Sequence, residues 1–418
     1  MDKIEQALYR AEYAKFVAGD GGAVARLEEE LPELFRKFWL RVDIPSVRRR
    51  TRSLAELPPA PPVDAHYMTT FGVRGVVRYP LTSGETVYKI PVFSFAMNDW
   101  KDHWTTTYLV VGRKGSLTLI DAGSHLSEDS LREGLAVVSG YYGERLSMAD
   151  IDNVVITHAH FDHFGGLRYL MAQAQPRLWV HQWDAHTVAE FPREVLKGRE
   201  QILRFLQQSG MPDKEIAGFM ELHGAYKQDF PGYAVTDPFE DGQRIIEEFE
   251  VVHTPGHCPG LSCLRVGDVM MLGDHVLNDV SPHQFPKIYT SGSGLLNYFN
   301  SLVKICARSE KVRLGLPSHY GDIPDVEARA MQIMAEHNQR IADIIKDLDR
   351  PKTLYEVSND YYEYRRGREI RGYDSLLALE EIGAHLEYMI ETLGIVRVDN
   401  HAAAARDGAE VVRYVAAL

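Results

Sequence analysis

The sequence predicts an α/β protein whose sheet is largely covered on both faces. Short, wholly apolar runs recur from about residue 65 to Ile323-Pro324, and stretches of helical period separate them. The proline-rich Leu57-Pro58-Pro59-Ala60-Pro61-Pro62 sets this region apart from what precedes it, because proline fixes φ and removes backbone donors.

Taken in order, Leu27, Leu31, Leu34, Phe35 and Phe38 recur at helical spacing, so 1–62 is read as a helical N-terminal extension ending in the stiff linker. The basic run Arg48-Arg49-Arg50-Thr51-Arg52 within it reads as a solvated surface. Next come strand candidates: Tyr108-Leu109-Val110-Val111, Leu117-Thr118-Leu119-Ile120, Val154-Val155-Ile156 and Leu178-Trp179-Val180. Phe249-Glu250-Val251-Val252, Val269-Met270-Met271-Leu272 and Leu314-Gly315-Leu316 complete the set. Helical stretches fall at 165–174 and in a polar insert at 192–224, and these elements make 63–325 an α/β domain of its own. After Ile323-Pro324 the strand signal fades. An amphipathic helix over 326–348, further helices and a strand at Ile395-Val396-Arg397-Val398 make 326–418 a mainly helical C-terminal domain.

Hydrophobic residues at 45% and charged residues at 25% are ordinary for a soluble globular chain, and 418 residues exceed one compact domain. The net charge of −13 excludes a protein that binds nucleic acid over its whole surface, so any such contact is local. Three cysteines, Cys258, Cys263 and Cys306, fit a reducing compartment rather than a disulfide scaffold. The N-terminus lacks a basic-then-apolar leader, and no apolar run approaches the roughly 20 residues that span a bilayer, so the expectation is a cytoplasmic protein with no membrane partner.

Chemistry concentrates in Thr157-His158-Ala159-His160-Phe161-Asp162-His163-Phe164-Gly165-Gly166, directly after the strand Val154-Val155-Ile156. In extended backbone His158 and His160 project to the same side, and as the chain turns Asp162 and His163 can address a neighbouring position. Three imidazoles and a carboxylate are poor core material but good ligands for divalent metals. Further candidates lie after other strands: His257 in Thr254-Pro255-Gly256-His257, Asp274 in Gly273-Asp274-His275, and His319 in Pro317-Ser318-His319. Convergence of separate segments on one sheet edge is what a metal centre requires.

The H-x-H-x-D-H loop, the T-P-G-H turn, the G-D turn and the late P-x-H turn, in this order, resemble the metallo-β-lactamase superfamily, and Leu119-Ile120-Asp121-Ala122-Gly123 resembles its first motif. The resemblance covers about 65–325 and implies an αββα sandwich with the metals at one edge between the sheets. It implies one metal on His158, His160 and His257 and another on Asp162, His163 and His319, with Asp274 bridging and Asp121 holding a ligand ring from behind. Two divalent ions per chain are expected, zinc first, with iron or manganese tolerated. Gly273-Asp274-His275-Val276-Leu277 and the helical insert resemble glyoxalase II-like thioesterases and a subgroup of lactamase-like endoribonucleases. The tail, notably His337-Asn338-Gln339-Arg340 and His385-Leu386-Glu387, is similar to the winged-helix-like unit of that subgroup. Two departures from the family pattern bear on substrate: Pro317-Ser318-His319-Tyr320-Gly321 replaces the usual P-G-H-G turn, and Leu261 stands where a small polar residue is common.

The function so implied is hydrolysis of a thioester or activated ester, acyl-CoA-like or lactone-like, by a shared water whose pKa two cations lower, with Asp162 as the proton carrier. Cleavage of RNA phosphodiesters is the alternative, and a diiron redox role a third. Trp100, Trp104, His283, Tyr320, Arg365 and Arg366 are the candidate substrate contacts, the arginines through the aromatic–basic stretch Tyr361-Tyr362-Glu363-Tyr364-Arg365-Arg366. The expected partner is a small molecule, with RNA as the alternative; a homo-oligomer is allowed.

Overall fold

The computed structural model describes residues 64–65, 75–95, 103–222, 230–288, 290–365, 367, 370, 373–399, 405–406 and 409–417. The N-terminal helix, the basic run at 48–52, the proline-rich linker, Trp100 and Arg366 lie outside the described residues.

The first sheet runs in chain order through β1 (Asp64–Ala65), β2 (Val77–Pro80), β3 (Thr86–Phe95), β4 (His103–Val111), β5 (Leu117–Ile120), β6 (Asn153–Ile156), β7 (Arg177–His181) and β8 (Asp237–Phe239). Its strands are antiparallel up to β5 and parallel from β5 to β8. The parallel crossovers carry helices: α1 (Glu128–Gly140), then α2 (Phe161–Phe164) and α3 (Leu167–Gln173), then α4 (Gln182–Ala189), α5 (Phe191–Ser209) and α6 (Asp213–Leu222). The second sheet has the order β13-β12-β11-β10-β9, from β9 (Arg244–Ile245), β10 (Phe249–His253), β11 (Ser262–Val266), β12 (Val269–Gly273) and β13 (Leu314–Pro317). Only its β12–β13 pair is parallel, and α7 (Leu295–Arg308) makes that connection.

Alternation along the strands explains why their sequences are apolar throughout. Tyr108, Val110, Ile120 and Val155 face Val251, Leu264, Val269 and Met271 across the gap between the sheets. Their neighbours Leu109, Leu119, Val154 and Ile156 pack under α1, α2 and α3, while Val252, Met270 and Leu272 pack under α7 and the C-terminal helices. The central strands are thus buried on both faces, which gives helix, sheet, sheet, helix: the αββα metallo-β-lactamase sandwich.

After the sandwich comes α8 (Val326–Asp347), whose N-terminus is capped by the Asp325 carboxylate accepting from Ala328 N at 2.9 Å. Then follow α9 (Leu354–Asn359), a π-helical turn at Asp360–Arg365, α10 (Tyr373–Tyr388) and a second π-helical turn at Met389–Leu393. A small antiparallel sheet joins β14 (Lys352–Thr353), β15 (Val396–Val398) and β18 (Arg413–Ala416), and β16 (Ala405–Arg406) pairs with β17 (Ala409–Glu410). Side chains of α7, α8 and α10 share one hydrophobic core with the outer face of the second sheet. No described helix is long and apolar enough to cross a membrane.

One element differs from expectation. The polar, aromatic stretch before Tyr108 is strand from His103 onward, paired with β3. Its threonines belong there: β-branched side chains suit a strand, and the buried Thr105 and Thr107 hydroxyls meet Ser94 Oγ at 2.6 Å and the Ile90 carbonyl at 3.4 Å.

Candidate metal centre

Strand ends deliver the site. β6 runs into Thr157 and His158, β10 leads to His257, β12 ends one residue before Asp274, and β13 ends two residues before His319. Backbone hydrogen bonds fix these ends to one another: Ser262 N donates to Thr157 O at 3.0 Å, Ser318 N to Gly273 O at 3.0 Å and Thr106 N to Ser318 O at 2.7 Å.

His158, His160, His257 and Asp274 form one group whose ligand atoms lie within 4.8 Å of one another, and His163, Asp274 and His319 form a second. His160 Nδ1 lies 3.0 Å from Nε2 of both His158 and His257. The Asp274 carboxylate spans both groups, its oxygens 3.4 Å from His319 Nε2, 3.5 Å from His163 Nε2, 3.7 Å from His257 Nε2 and 3.9 Å from His158 Nε2. Asp162 Oδ2 stands 3.5 Å from His163 Nε2 and 3.4 Å from His319 Nε2.

The far sides of the rings are held. His163 Nδ1 meets Asp121 Oδ2 at 2.8 Å, His257 Nδ1 donates to the His283 carbonyl at 2.6 Å, and His319 Nδ1 donates to the Trp104 carbonyl at 2.9 Å. A neutral imidazole has one N–H, so each of these rings then turns an Nε2 lone pair inward, toward carboxylate oxygens. Lone pairs facing carboxylates call for cations between them. The buried His163 Nε2 and Asp274 Oδ1 have no hydrogen-bond partner, so the donor set fits divalent metal ions.

The electrostatics show the same demand for positive charge: against the effect of burial, Asp162 and Asp274 raise the facing His163 and His319 rings toward their protonated forms, and a bound cation would displace those protons. Burial pushes His158 and His160 well below the usual imidazole range, and neighbouring imidazoles add to it. Burial also opposes ionisation of Asp162 and Asp274, yet the facing histidines hold both well below the ordinary carboxylate range. Burial would lower His319, but Asp274 and Asp162 carry it up to about 10.

Two residues unsuspected from sequence join the site. His103 Nε2 lies 3.6 Å from Asp162 Oδ2 and forms a group with Asp162 and His319; its place in an irregular-looking polar stretch hid it. Asp184, at the start of α4, accepts from Ala159 N and Gly260 N, each at 2.8 Å, and so ties the His158–His160 loop to the turn after His257.

The other candidates fall around the centre unevenly. His283 contacts the centre through its backbone, and Tyr320, exposed and at φ +65°, follows His319. The Trp104 indole packs edge-on against Phe93 at 5.5 Å, although its carbonyl holds His319. Arg365 ends the first π-helical turn. Tyr361 in the same turn is buried and packs beneath Arg340, so it offers no face for stacking a base. The three cysteines are buried and form no disulfide. A further buried group, His337, Glu381 and His385, already has the Arg340 guanidinium within it, 3.1 Å from His337 Nδ1 and paired with Glu381.

Fold and constellation together define a class: an αββα sandwich carrying a histidine–aspartate cluster suited to metals at the edge between its sheets. Residues 104–305 match the family profile described as the Metallo-beta-lactamase superfamily. The chain is 24% identical over 293 residues, 68% of its length and 86% of the relative's, to a probable metallo-hydrolase, YqjP, of Bacillus subtilis (strain 168). A second probable metallo-hydrolase of that organism, YflN, is 26% identical over 164 residues, 39% of this chain and 56% of the relative. A metallo-beta-lactamase family protein from Thermus thermophilus superposes with a TM-score of 0.61 at 25% identity, covering 79% of this chain and 98% of that one. A beta-lactamase domain protein from Burkholderia ambifaria gives the same TM-score, 0.61, at 20% identity, covering 81% and 93%. The superposition on the Thermus protein and the profile match show the metallo-β-lactamase fold, and the chain is similar in sequence to two probable metallo-hydrolases.

Proposed function

We propose that this chain is a binuclear metal-dependent hydrolase that cleaves a thioester or activated ester of a small molecule, acyl-CoA-like or lactone-like. One observation carries the binuclear reading: the single Asp274 carboxylate lies within reach of ring nitrogens in both histidine groups. In this reading His158, His160 and His257 hold one ion, Asp162, His163 and His319 hold the other, and Asp274 bridges. Zinc is the first choice, with iron or manganese tolerated by the same donors. Residues 63–325 form the catalytic domain and 326–418 the C-terminal unit.

Bound ions would supply a shared water of lowered pKa and a Lewis acid for the carbonyl oxygen. The chain's own residues do the rest. Asp121, Trp104 and His283 fix the ring orientations, so little reorganisation is left for the reacting state. Asp162 Oδ2, which accepts from Thr105 Oγ1 at 3.2 Å and lies beside His103, is placed to take a proton and return it to the leaving group. A thiolate or alkoxide leaves readily, and a net charge of −13 suits a small substrate better than a polyanionic strand.

The test is a screen of acyl-CoA thioesters, lactones and single-stranded RNA with the metal-loaded full chain, repeated with Asp162→Asn. We expect turnover of a thioester or lactone, and a fall in kcat of about 100-fold or more in the variant with metal content retained. Cleavage of RNA alone would replace this substrate class with the nuclease, and undiminished turnover by Asp162→Asn would exclude its proton transfer.

A further inference from the structure

The His257 end of the centre leans on loop 281–288, which follows β12 of the second sheet. His257 Nδ1 donates to the carbonyl of His283, and Phe285 sets its ring 5.3 Å from His160 and 5.7 Å from His257. Residues 281–288 have no helix or strand of their own, so their position must come from elsewhere.

It comes from α10. Glu380 Oε2 lies 3.0 Å from His283 Nε2, and Glu381 Oε2 lies 3.4 Å from His283 Nδ1 while accepting from Gln284 N at 2.8 Å. Further along, both Glu387 oxygens accept loop amides, from Lys287 N at 2.8 Å and Ile288 N at 3.1 Å. Glu381 is held in turn by Arg340 of α8. Glu380 and Glu381 are only 3% and 5% exposed. Burying carboxylates is costly, and apolar side chains would join α10 to the sandwich at least as firmly. An expensive contact aimed at a loop that orients a ligand ring points to a role in the site.

We propose that Glu380 and Glu381 of the C-terminal helix α10 are positioning residues for the metal centre, clamping His283 so that its carbonyl fixes the His257 ring. The proposal rests on the metal reading of the centre. It makes the C-terminal unit part of the catalytic apparatus: loosening the clamp weakens the three-histidine position and leaves the other position as it was.

The experiment titrates Co2+ into the full chain against a chromophoric chelator and records the Co2+ absorption bands. The variants are Glu380→Gln, His283→Ala, Glu380→Gln/Glu381→Gln and the control Lys352→Ala, which breaks the 2.7 Å Lys352–Asp360 pair elsewhere in the same unit. We expect the first three to bind one of two Co2+ ions about tenfold more weakly, with altered bands, the scale of losing a group that orients a ligand. The second ion and the Lys352→Ala chain should bind as in the wild type. Wild-type affinities and bands in all variants overturn the clamp while leaving the metal reading intact. Equal weakening in Lys352→Ala overturns it too, as general loosening. Failure of the wild-type chain to bind Co2+ refutes the metal reading itself. Should the double variant not fold, the two single variants decide.

Discussion

Asp121 sits at φ +58°, in the left-handed region that aspartate tolerates better than most residues, and both its oxygens serve the site. Oδ1 accepts from Thr157 N at 2.7 Å; Oδ2 meets Thr157 Oγ1 at 2.8 Å, His163 Nδ1 at 2.8 Å and Ser318 Oγ at 3.3 Å. One carboxylate thereby joins the first sheet, the His158 loop and the His319 turn. Asp121→Ala should weaken metal binding by about 10- to 100-fold, the usual cost of losing such a support, and should lower the thermal midpoint. Metal affinity equal to wild type, read by chelator competition, would remove Asp121 from the site. At this scale the sequence is informative where a residue type is out of place in a core: the clustered histidines and Asp162 announce themselves by polarity. His103 does not, because one histidine in a polar stretch carries no such contrast. His283 contributes a backbone carbonyl, which no residue type encodes.

Elements aim these residues. The turn carrying His257 depends on Gly256, which sits at φ +144°, and a Cβ there would fall on the backbone of Tyr298 in α7. Gly256→Ala should therefore push the turn outward and lower occupancy of the three-histidine position, as metal analysis would record; unchanged occupancy would mean that α7 yields. A second element-scale consequence concerns acid. Burial lowers His385 on α10 to about 4, and burial likewise puts its neighbour His337 on α8 well below the usual range. Below about pH 6.5 the unfolded chain protonates these rings while the fold keeps them neutral. The contribution of His385 is thus fully present above about pH 6.5 and is lost as pH falls toward about 4. His385→Gln should flatten urea-unfolding stability between about pH 6.5 and about pH 4; an unchanged slope would place the acid sensitivity elsewhere. The apolar strands are legible because burial on both faces writes itself as a continuous apolar run, as in β6 and β12. β4 extends beyond its apolar run because Thr105 and Thr107 satisfy their hydroxyls inside the protein. The contact of α10 with loop 281–288 is invisible in the sequence, since Glu380 and His283 stand 97 residues apart and glutamates on a helix read as solvated.

At the scale of the whole molecule, two sheets and their helices bring separate chain segments to one edge, and the tail shares the outer core of the second sheet. That a covered α/β fold would form is legible in the alternation of apolar runs and helices. Which segments meet is legible only through the order of the metal motifs, because pairing between distant strands is decided by packing that local pattern does not record. The substrate is not legible at all: Tyr361, one of the tyrosines in the aromatic–basic stretch of the tail, is buried. All the proposed chemistry depends on the centre. The most direct test is elemental analysis of the purified full chain beside Asp274→Ala, with hydrolase activity measured on the same samples. A binuclear centre predicts two metal ions per wild-type chain and loss at both positions in the variant, because Asp274 reaches ring nitrogens of both groups. A wild-type chain fully active with one metal ion, or an Asp274→Ala chain that keeps both, would contradict it.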